Sequence, residues 1–197
     1  MSHYFVNDET LKHQETLYKV SLFDVNFEFI ADKGVFSMEH LDFGSELLIK
    51  TLRVEQAKSM LDLGCGVGPI GIITKKVNPN LNVTMCDINH RAVELSKKNA
   101  VKNQVDVKIL ESDAFLNIKD TFDLIVSNPP IRAGKKVIYS MYEHAYMHLN
   151  NGGSLWLVVR KQQGAPSTID FLKTIYQHVE VVERSKGYYI IKAMKMV

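Results

Sequence analysis

Residues 62–71 read Asp62-Leu63-Gly64-Cys65-Gly66-Val67-Gly68-Pro69-Ile70-Gly71. Ahead of them Ser59–Leu63 is a short apolar run, and behind them Pro69–Val77 has the pattern of a helix. Pro69 falls in its first turn, where a missing N–H costs little. Strand, glycine turn and helix in that order form the first unit of an alternating α/β chain. The alternation continues downstream. Asn82–Asp87 is rich in β-formers, and residues 91–102 are amphipathic, with apolar side chains at 92, 95 and 100–101 and lysines between them. Residues 106–110 and Phe122–Ser127 read as strands, the second almost continuously apolar, as a strand covered on both faces should be. Residues 137–149 read as a helix, 150–153 as a turn and 154–160 as a strand. Residues 166–178 read as a helix with Ile169, Leu172 and Tyr176 on one face. The final pair, 179–183 and Tyr188–Met194, is joined by Arg184-Ser185-Lys186-Gly187. That link is too short for a parallel crossover, so the pair is an antiparallel hairpin. The expected fold is α/β, a mostly parallel seven-stranded sheet with a terminal antiparallel hairpin and helices on both faces.

The upstream residues break the pattern. Thr16–Leu22 and 26–30 look like two strands with a short turn at 23–25. We expect a single domain over 1–197, with 1–43 a small β extension and 44–197 the catalytic core. Ser45 reads as the N-cap of a helix over 46–54. A chain of 197 residues buries a large core without disulfides or metals. Its two cysteines, Cys65 and Cys86, are too few for a disulfide framework and read as reduced thiols. The N-terminal stretch is polar, and no apolar run approaches the roughly 20 residues of a bilayer span. The expectation is a cytoplasmic protein with no membrane partner. A net charge of +2 is compatible with a nucleic-acid partner without demanding one.

Glycines at 64, 66 and 68 let the backbone turn tightly and approach a ligand with no Cβ in the way. Two registers compete. Gly66, Gly68 and Gly71 satisfy G-x-G-x-x-G, the dinucleotide form of a nicotinamide oxidoreductase. Asp62, Gly64, Gly66 and Gly68 satisfy D-x-G-x-G-x-G, which resembles the first motif of class I S-adenosylmethionine-dependent methyltransferases. Asp62 favours the second register. Its carboxylate can attract the ammonium and sulfonium of S-adenosylmethionine, whereas a pyrophosphate prefers a region free of acids. Asp87 ends the next strand and suits the ribose hydroxyls of either cofactor. Asn89 reads as a helix cap or a ligand contact, with Ile88 beside it. Ser112, Asp113 and Ala114 follow the third strand, where a family residue contacts the adenine amino group. The expected cofactor site is thus Asp62, Leu63, Gly64, Cys65, Gly66, Gly68, Asp87, Ile88, Asn89, Ser112, Asp113, Ala114 and Asn128.

The fourth strand ends in Ser127-Asn128-Pro129-Pro130-Ile131. Two prolines cannot donate to a ladder, so the strand stops there, and their fixed φ stiffens the loop. An amide side chain is thereby held at the carboxyl end of a central strand, where open α/β sheets hold ligands. The element resembles the N-P-P-Tyr/Phe motif of methyltransferases that modify an amino group conjugated to a π system: adenine N6, guanine N2 or the glutamine amide. The resemblance implies that the Asn128 side-chain oxygen and the Pro129 carbonyl accept the two N–H bonds, aiming the nitrogen lone pair at the methyl carbon for in-line transfer. Catalytic residues are then Asn128, Pro129, Pro130 and Ile131, with no metal. Ile131 stands where an aromatic is common, which weakens stacking of a flipped base. Arg132, Lys135 and Lys136 follow and could contact substrate phosphates or face solvent.

Further upstream, Gly34-Val35-Phe36-Ser37 and Leu41-Asp42-Phe43-Gly44-Ser45 join the loop at 128–135 in resembling the small-subunit ribosomal RNA guanine-N2 methyltransferase family. The likeness covers roughly residues 3–195. It implies a Rossmann-like fold, S-adenosylmethionine as cofactor and a ribosomal RNA partner. It also implies that Phe36, Ser37, Asp42, Gly44 and Ser45 border the cofactor pocket. Well-known members carry a second, degenerate domain ahead of the catalytic one, so RNA recognition here is expected to be absent or supplied by a partner. His144 and His148, four apart on a helix, lack the H-E-x-x-H pattern and read as packing or surface residues. Arg160 and Lys161 after the fifth strand could face substrate, with a strand-end charge as the default reading, and Trp156 reads as core. Adenine, protein glutamine or a small molecule remain alternative acceptors, and a non-catalytic RNA-binding module an alternative function.

Overall fold

In chain order the computed structural model has β1 (Thr16–Leu22), β2 (Val25–Ala31), α1 (Phe43–Thr51), β3 (Ser59–Leu63), α2 (Pro69–Val77) and β4 (Asn82–Asp87). There follow α3 (His90–Lys102), β5 (Lys108–Glu111), β6 (Phe122–Ser127), α4 (Lys135–Met147), β7 (Leu149–Arg160), α5 (Ala165–Leu172), β8 (His178–Ser185) and β9 (Tyr188–Met194). The structure describes residues 14–32 and 40–196. Among them no helix is long and apolar enough to cross a membrane.

Seven strands form one sheet in the order β5-β4-β3-β6-β7-β9-β8. Strands β5 through β7 are parallel, and β9 runs antiparallel between β7 and β8. Lys186 and Gly187 both have positive φ, which gives the β8–β9 hairpin a two-residue turn whose twist matches its strands. The chain winds outward from β3 to β5, then returns to the centre and winds the other way from β6. The carboxyl ends of β3 and β6 therefore diverge, and the sheet opens a crevice at that switch point. One apolar cluster on one face includes Leu48, Ile72, Met85 and Trp156, and a second on the other includes Leu61, Ile125, Tyr142 and Leu157. This doubly covered sheet explains the nearly continuous apolar runs of β3 and β6.

The pair β1–β2 forms its own antiparallel sheet. Its free edge is covered by α3 through two buried asparagines. Asn99 accepts the Ile30 N–H at 2.7 Å and donates to the Ile30 carbonyl at 2.9 Å. Asn103 does the same for Glu28, at 3.1 and 2.8 Å. Side-chain amides thus replace a neighbouring strand along β2. Asn99 also donates to the Val67 carbonyl at 2.9 Å, so the hairpin is fastened to the glycine turn itself.

Several boundaries differ from the sequence reading, and three of the differences have a clear physical reason. Helix α1 starts at Phe43 and its N-cap is Asp42, which accepts the Ser45 N–H at 3.1 Å; Ser45 lies inside the first turn. Residues 150–153 do not interrupt the strand. Gly152 donates to the Lys195 carbonyl and Lys195 donates to that of Gly153, so pairing continues through a bulge that moves the register from Leu149 opposite Phe122 to Ser154 opposite Leu124. Helix α5 ends at Leu172, although Tyr176 stays buried and donates its hydroxyl to the Tyr142 carbonyl.

Candidate active site

The switch point holds a crevice of about 490 Å³, within the usual size of small-ligand sites. One half of its wall is Leu63, Gly64, Cys65 and Gly66, with Asp87, Ile88 and Asn89 after β4 and Ser112, Asp113 and Ala114 after β5. The other half carries Asn128, Pro129, Pro130 and Ile131. The fold thus brings the two sequence motifs to one cavity. Some expected residues sit elsewhere. Asp62 and Gly68 are buried and do not line it. Lys135 and Lys136 are exposed in the first turn of α4, and Arg132 lies in a short 3-10 turn, Ile131–Ala133. Phe36 and Ser37 fall outside the described residues.

The glycines divide their labour. Gly64 and Gly66 have φ of +73° and +58°, and a Cβ added to either would meet nothing within 4 Å. Their backbone faces open space, a cradle that a ligand can approach closely. A Cβ on Gly68 would come within 2.6 Å of Met85 Cε, and one on Gly71 within 2.7 Å of Met85 Sδ. These two bring α2 down onto β4. Gly71 serves packing, which is why the chain satisfies the dinucleotide register as well.

Asp87 Oδ2 accepts the Gly66 N–H at 2.8 Å, and Oδ1 accepts that of Asn89 at 2.9 Å. Each oxygen retains lone-pair capacity for a ligand hydroxyl. Burial raises the Asp87 carboxyl, and these N–H bonds oppose the rise. Asn89 caps α3 by accepting the Ala92 N–H at 3.2 Å. Asp62 accepts the Gly71 N–H through Oδ2 at 2.9 Å, while its buried Oδ1 has no partner among the described residues. Burial pushes Asp62 up to about 7, the Gly71 N–H opposes this, and neighbouring Asp87 adds to it. The Asp87 acceptors and the open backbone cradle on the crevice wall suit a ligand that carries hydroxyls and oppose a pyrophosphate. Cys65 and Cys86 are buried free thiols, both pushed up by burial, Cys86 to about 12, so neither is a nucleophile at neutral pH.

Across the crevice, Asn128 Nδ2 donates to Asp42 Oδ1 at 3.2 Å and to Ser45 Oγ at 3.1 Å. Ser127 holds the loop base by donating to the Leu63 carbonyl at 2.7 Å. Asn128 Oδ1 accepts no hydrogen bond from the described residues, which leaves it available to an incoming donor.

Two further wall residues come from the antiparallel end of the sheet. Arg160 and Tyr188 line the crevice, with the guanidinium 4.6 Å above the ring. Register explains the pairing, because Arg160 and Tyr188 lie directly opposite on β7 and β9. Sequence alone offered Arg160 as a strand-end charge that could face substrate, and gave no sign of Tyr188. His144 and His148 each point Nδ1 at a backbone carbonyl and stack on Phe115. Trp156 is core.

Comparison with known proteins agrees with this geometry. Residues 26–192 match the methyltransferase small domain. The chain is 43% identical to the uncharacterized protein YbxB of Bacillus subtilis, over 98% of each chain. It is 40% identical to ribosomal RNA small subunit methyltransferase C of Haemophilus influenzae, over 74% of this chain and 43% of that protein. The corresponding Escherichia coli protein is 33% identical, over 79% of this chain and 46% of its own length. The chain therefore spans less than half of those two methyltransferases. Among solved structures, a T. thermophilus 16S rRNA N2 G1207 methyltransferase in complex with AdoMet and guanosine superposes with a TM-score of 0.79 at 22% identity, over 92% of this chain and 50% of that one. At that identity the likeness speaks to the fold.

Proposed function

We propose, for a chain that belongs to the methyltransferase small domain family, that it uses S-adenosylmethionine to methylate an exocyclic amino group, with guanine N2 of ribosomal RNA as the acceptor. The observation that carries this reading is that Asn128 and the open glycine cradle line one crevice, with the Asn128 oxygen unengaged among the described residues.

Bound in the cradle, S-adenosylmethionine supplies an electrophilic methyl group on a sulfonium whose thioether is the leaving group. The chain provides position and electrostatics. Asp87 accepts ribose hydroxyls while its bond to Gly66 keeps the turn open. Asp87, on the crevice wall, places a carboxylate beside the cationic ligand. Asn128 Oδ1 and the Pro129 carbonyl accept the two N–H bonds of the acceptor amine. Those bonds draw the nitrogen lone pair out of conjugation and toward the methyl carbon. The proton released after transfer passes to solvent. Orientation of this kind supplies much of a rate gain without a covalent intermediate.

The relatives of known name support an RNA acceptor. Arg160 on the crevice wall supplies a cationic contact for a phosphate, and the exposed Lys135 and Lys136 in the first turn of α4 supply others. A cytoplasmic setting goes with two unpaired buried thiols. Labelled methyl incorporation into naked small-subunit RNA, assembled subunits and free protein tests the acceptor. The reading predicts label on guanine N2 of RNA. Label confined to adenine, protein or small molecules would reassign the substrate, and calorimetric binding of NAD in place of S-adenosylmethionine would remove the reading.

A further inference from the structure

The loop that carries Asn128 is stiff in its backbone, yet an asparagine side chain has two faces of nearly equal shape. One donates and the other accepts. Gripping an amine requires the oxygen outward, and the wrong rotation would present two N–H groups to two N–H groups. Something must choose between them.

Asp42 makes that choice. A carboxylate only accepts, so the end of Asn128 that lies 3.2 Å from Asp42 Oδ1 must be the NH₂. Ser45 Oγ receives the same nitrogen at 3.1 Å. The carbonyl oxygen is thereby turned away from α1. The same Asp42 oxygen accepts the Ser45 N–H at 3.1 Å, so it is held by the first turn of α1 and does not wander. Gly44 fixes that turn in turn, since a Cβ there would lie 2.8 Å from Tyr188 Cε1. A negative charge behind the amide also polarises it, because donating to a carboxylate increases the electron density on the carbonyl at the other end.

We propose that Asp42 is a positioning residue for methyl transfer: its carboxylate, with Ser45, locks the Asn128 amide oxygen toward the acceptor nitrogen and strengthens it as an acceptor. This rests on the reading of Asn128 given above. It assigns a second task to a residue whose first is to cap α1.

Asp42→Asn separates the two tasks, because asparagine caps helices as well as aspartate does. The variant is expected to keep the wild-type thermal midpoint and S-adenosylmethionine affinity within about threefold. Its kcat is expected to fall about 10- to 100-fold, the scale of one charge-assisted hydrogen bond. Placed on Asn128→Ala, Asp42→Asn is expected to cost no further activity, whereas a merely structural role would add its loss. The Asn128 side-chain NH₂ signal in a ¹H–¹⁵N correlation spectrum should also move in Asp42→Asn, giving a readout independent of turnover. An unchanged kcat, an unmoved NH₂ signal or additive losses would overturn the proposal. A weakened cofactor affinity with intact saturated kcat would overturn it too, making Asp42 a cofactor ligand. Wild-type activity in Asn128→Ala would instead remove the reading of the reaction loop, and the role of Asp42 with it.

Discussion

The backbone N–H of Gly71 donates to Asp62 Oδ2 across 2.9 Å, tying the first turn of α2 to the tip of β3 from inside the protein. The acid at the head of the glycine motif is thus a brace beneath the cradle, and Asp87 is the acid at its rim. From sequence the two look alike, each a carboxylate ending a strand. Their burial separates them, and different consequences follow for each.

Burial lifts Asp62 to about 7. Between about pH 4 and 7 the folded chain therefore holds a proton that the unfolded chain, titrating near 3.9, has released. The associated stability is fully present below pH 4 and is lost as pH rises through 7. Asp62→Asn mimics the neutral form, so its stability relative to wild type should increase across that window by up to about 1.4 kcal/mol per pH unit. Urea unfolding of both proteins at pH 5 and 8 checks this, and parallel pH profiles would contradict it.

Asp87→Ala removes acceptors for the Gly66 and Asn89 N–H groups as well as for ligand hydroxyls. Affinity for S-adenosylmethionine should fall by about 1–3 kcal/mol, the scale of a charge-assisted bond. Titration calorimetry reads the difference directly, and an unchanged affinity would place the ribose elsewhere.

Gly68→Ala and Gly71→Ala both push a methyl into Met85. Gly68 also has φ of +92°, where alanine is strained by roughly 1–2 kcal/mol. Gly71→Ala should cost about 1–3 kcal/mol as overpacking, and Gly68→Ala more. Met85→Ala in either background should recover part of the packing loss but none of the φ strain. Equal costs for the two glycines in chemical denaturation would refute that division.

Asn99→Ala strips partners from the Ile30 N–H and carbonyl and from the Val67 carbonyl. Each buried group left unpaired costs about 1–3 kcal/mol. Hydrogen exchange at Ile30 should accelerate more than in the sheet centre. Equal protection in the variant would show that β2 does not depend on this edge contact.

The parallel sheet was legible because period and composition are local. The almost continuously apolar Phe122–Ser127 and the Pro-started α2 needed no partner to be read. The terminal hairpin was legible because a short glycine link admits one pairing. Contacts between distant segments were not legible. Nothing in the sequence marks Asn99 or Asn103 until β2 lies beside them. Arg160 could be read as a strand-end charge or as facing substrate, and its pairing with Tyr188 emerges only from the strand register. Ser45 reads as the cap of the helix that follows it, and only the backbone of α1 shows that the helix already starts at Phe43, with Asp42 as its cap. The turn signal at 150–153 was real, since Gly152 does take positive φ, but the chain near Lys195 pairs across it and keeps the strand whole.

The most direct test of the whole account is single-turnover methyl transfer by Asn128→Ala at saturating S-adenosylmethionine, beside its cofactor dissociation constant. The account predicts a dissociation constant within about threefold of wild type and a transfer rate lower by at least about 100-fold, since the lost contact acts on the acceptor nitrogen alone. Transfer at the wild-type rate would contradict it.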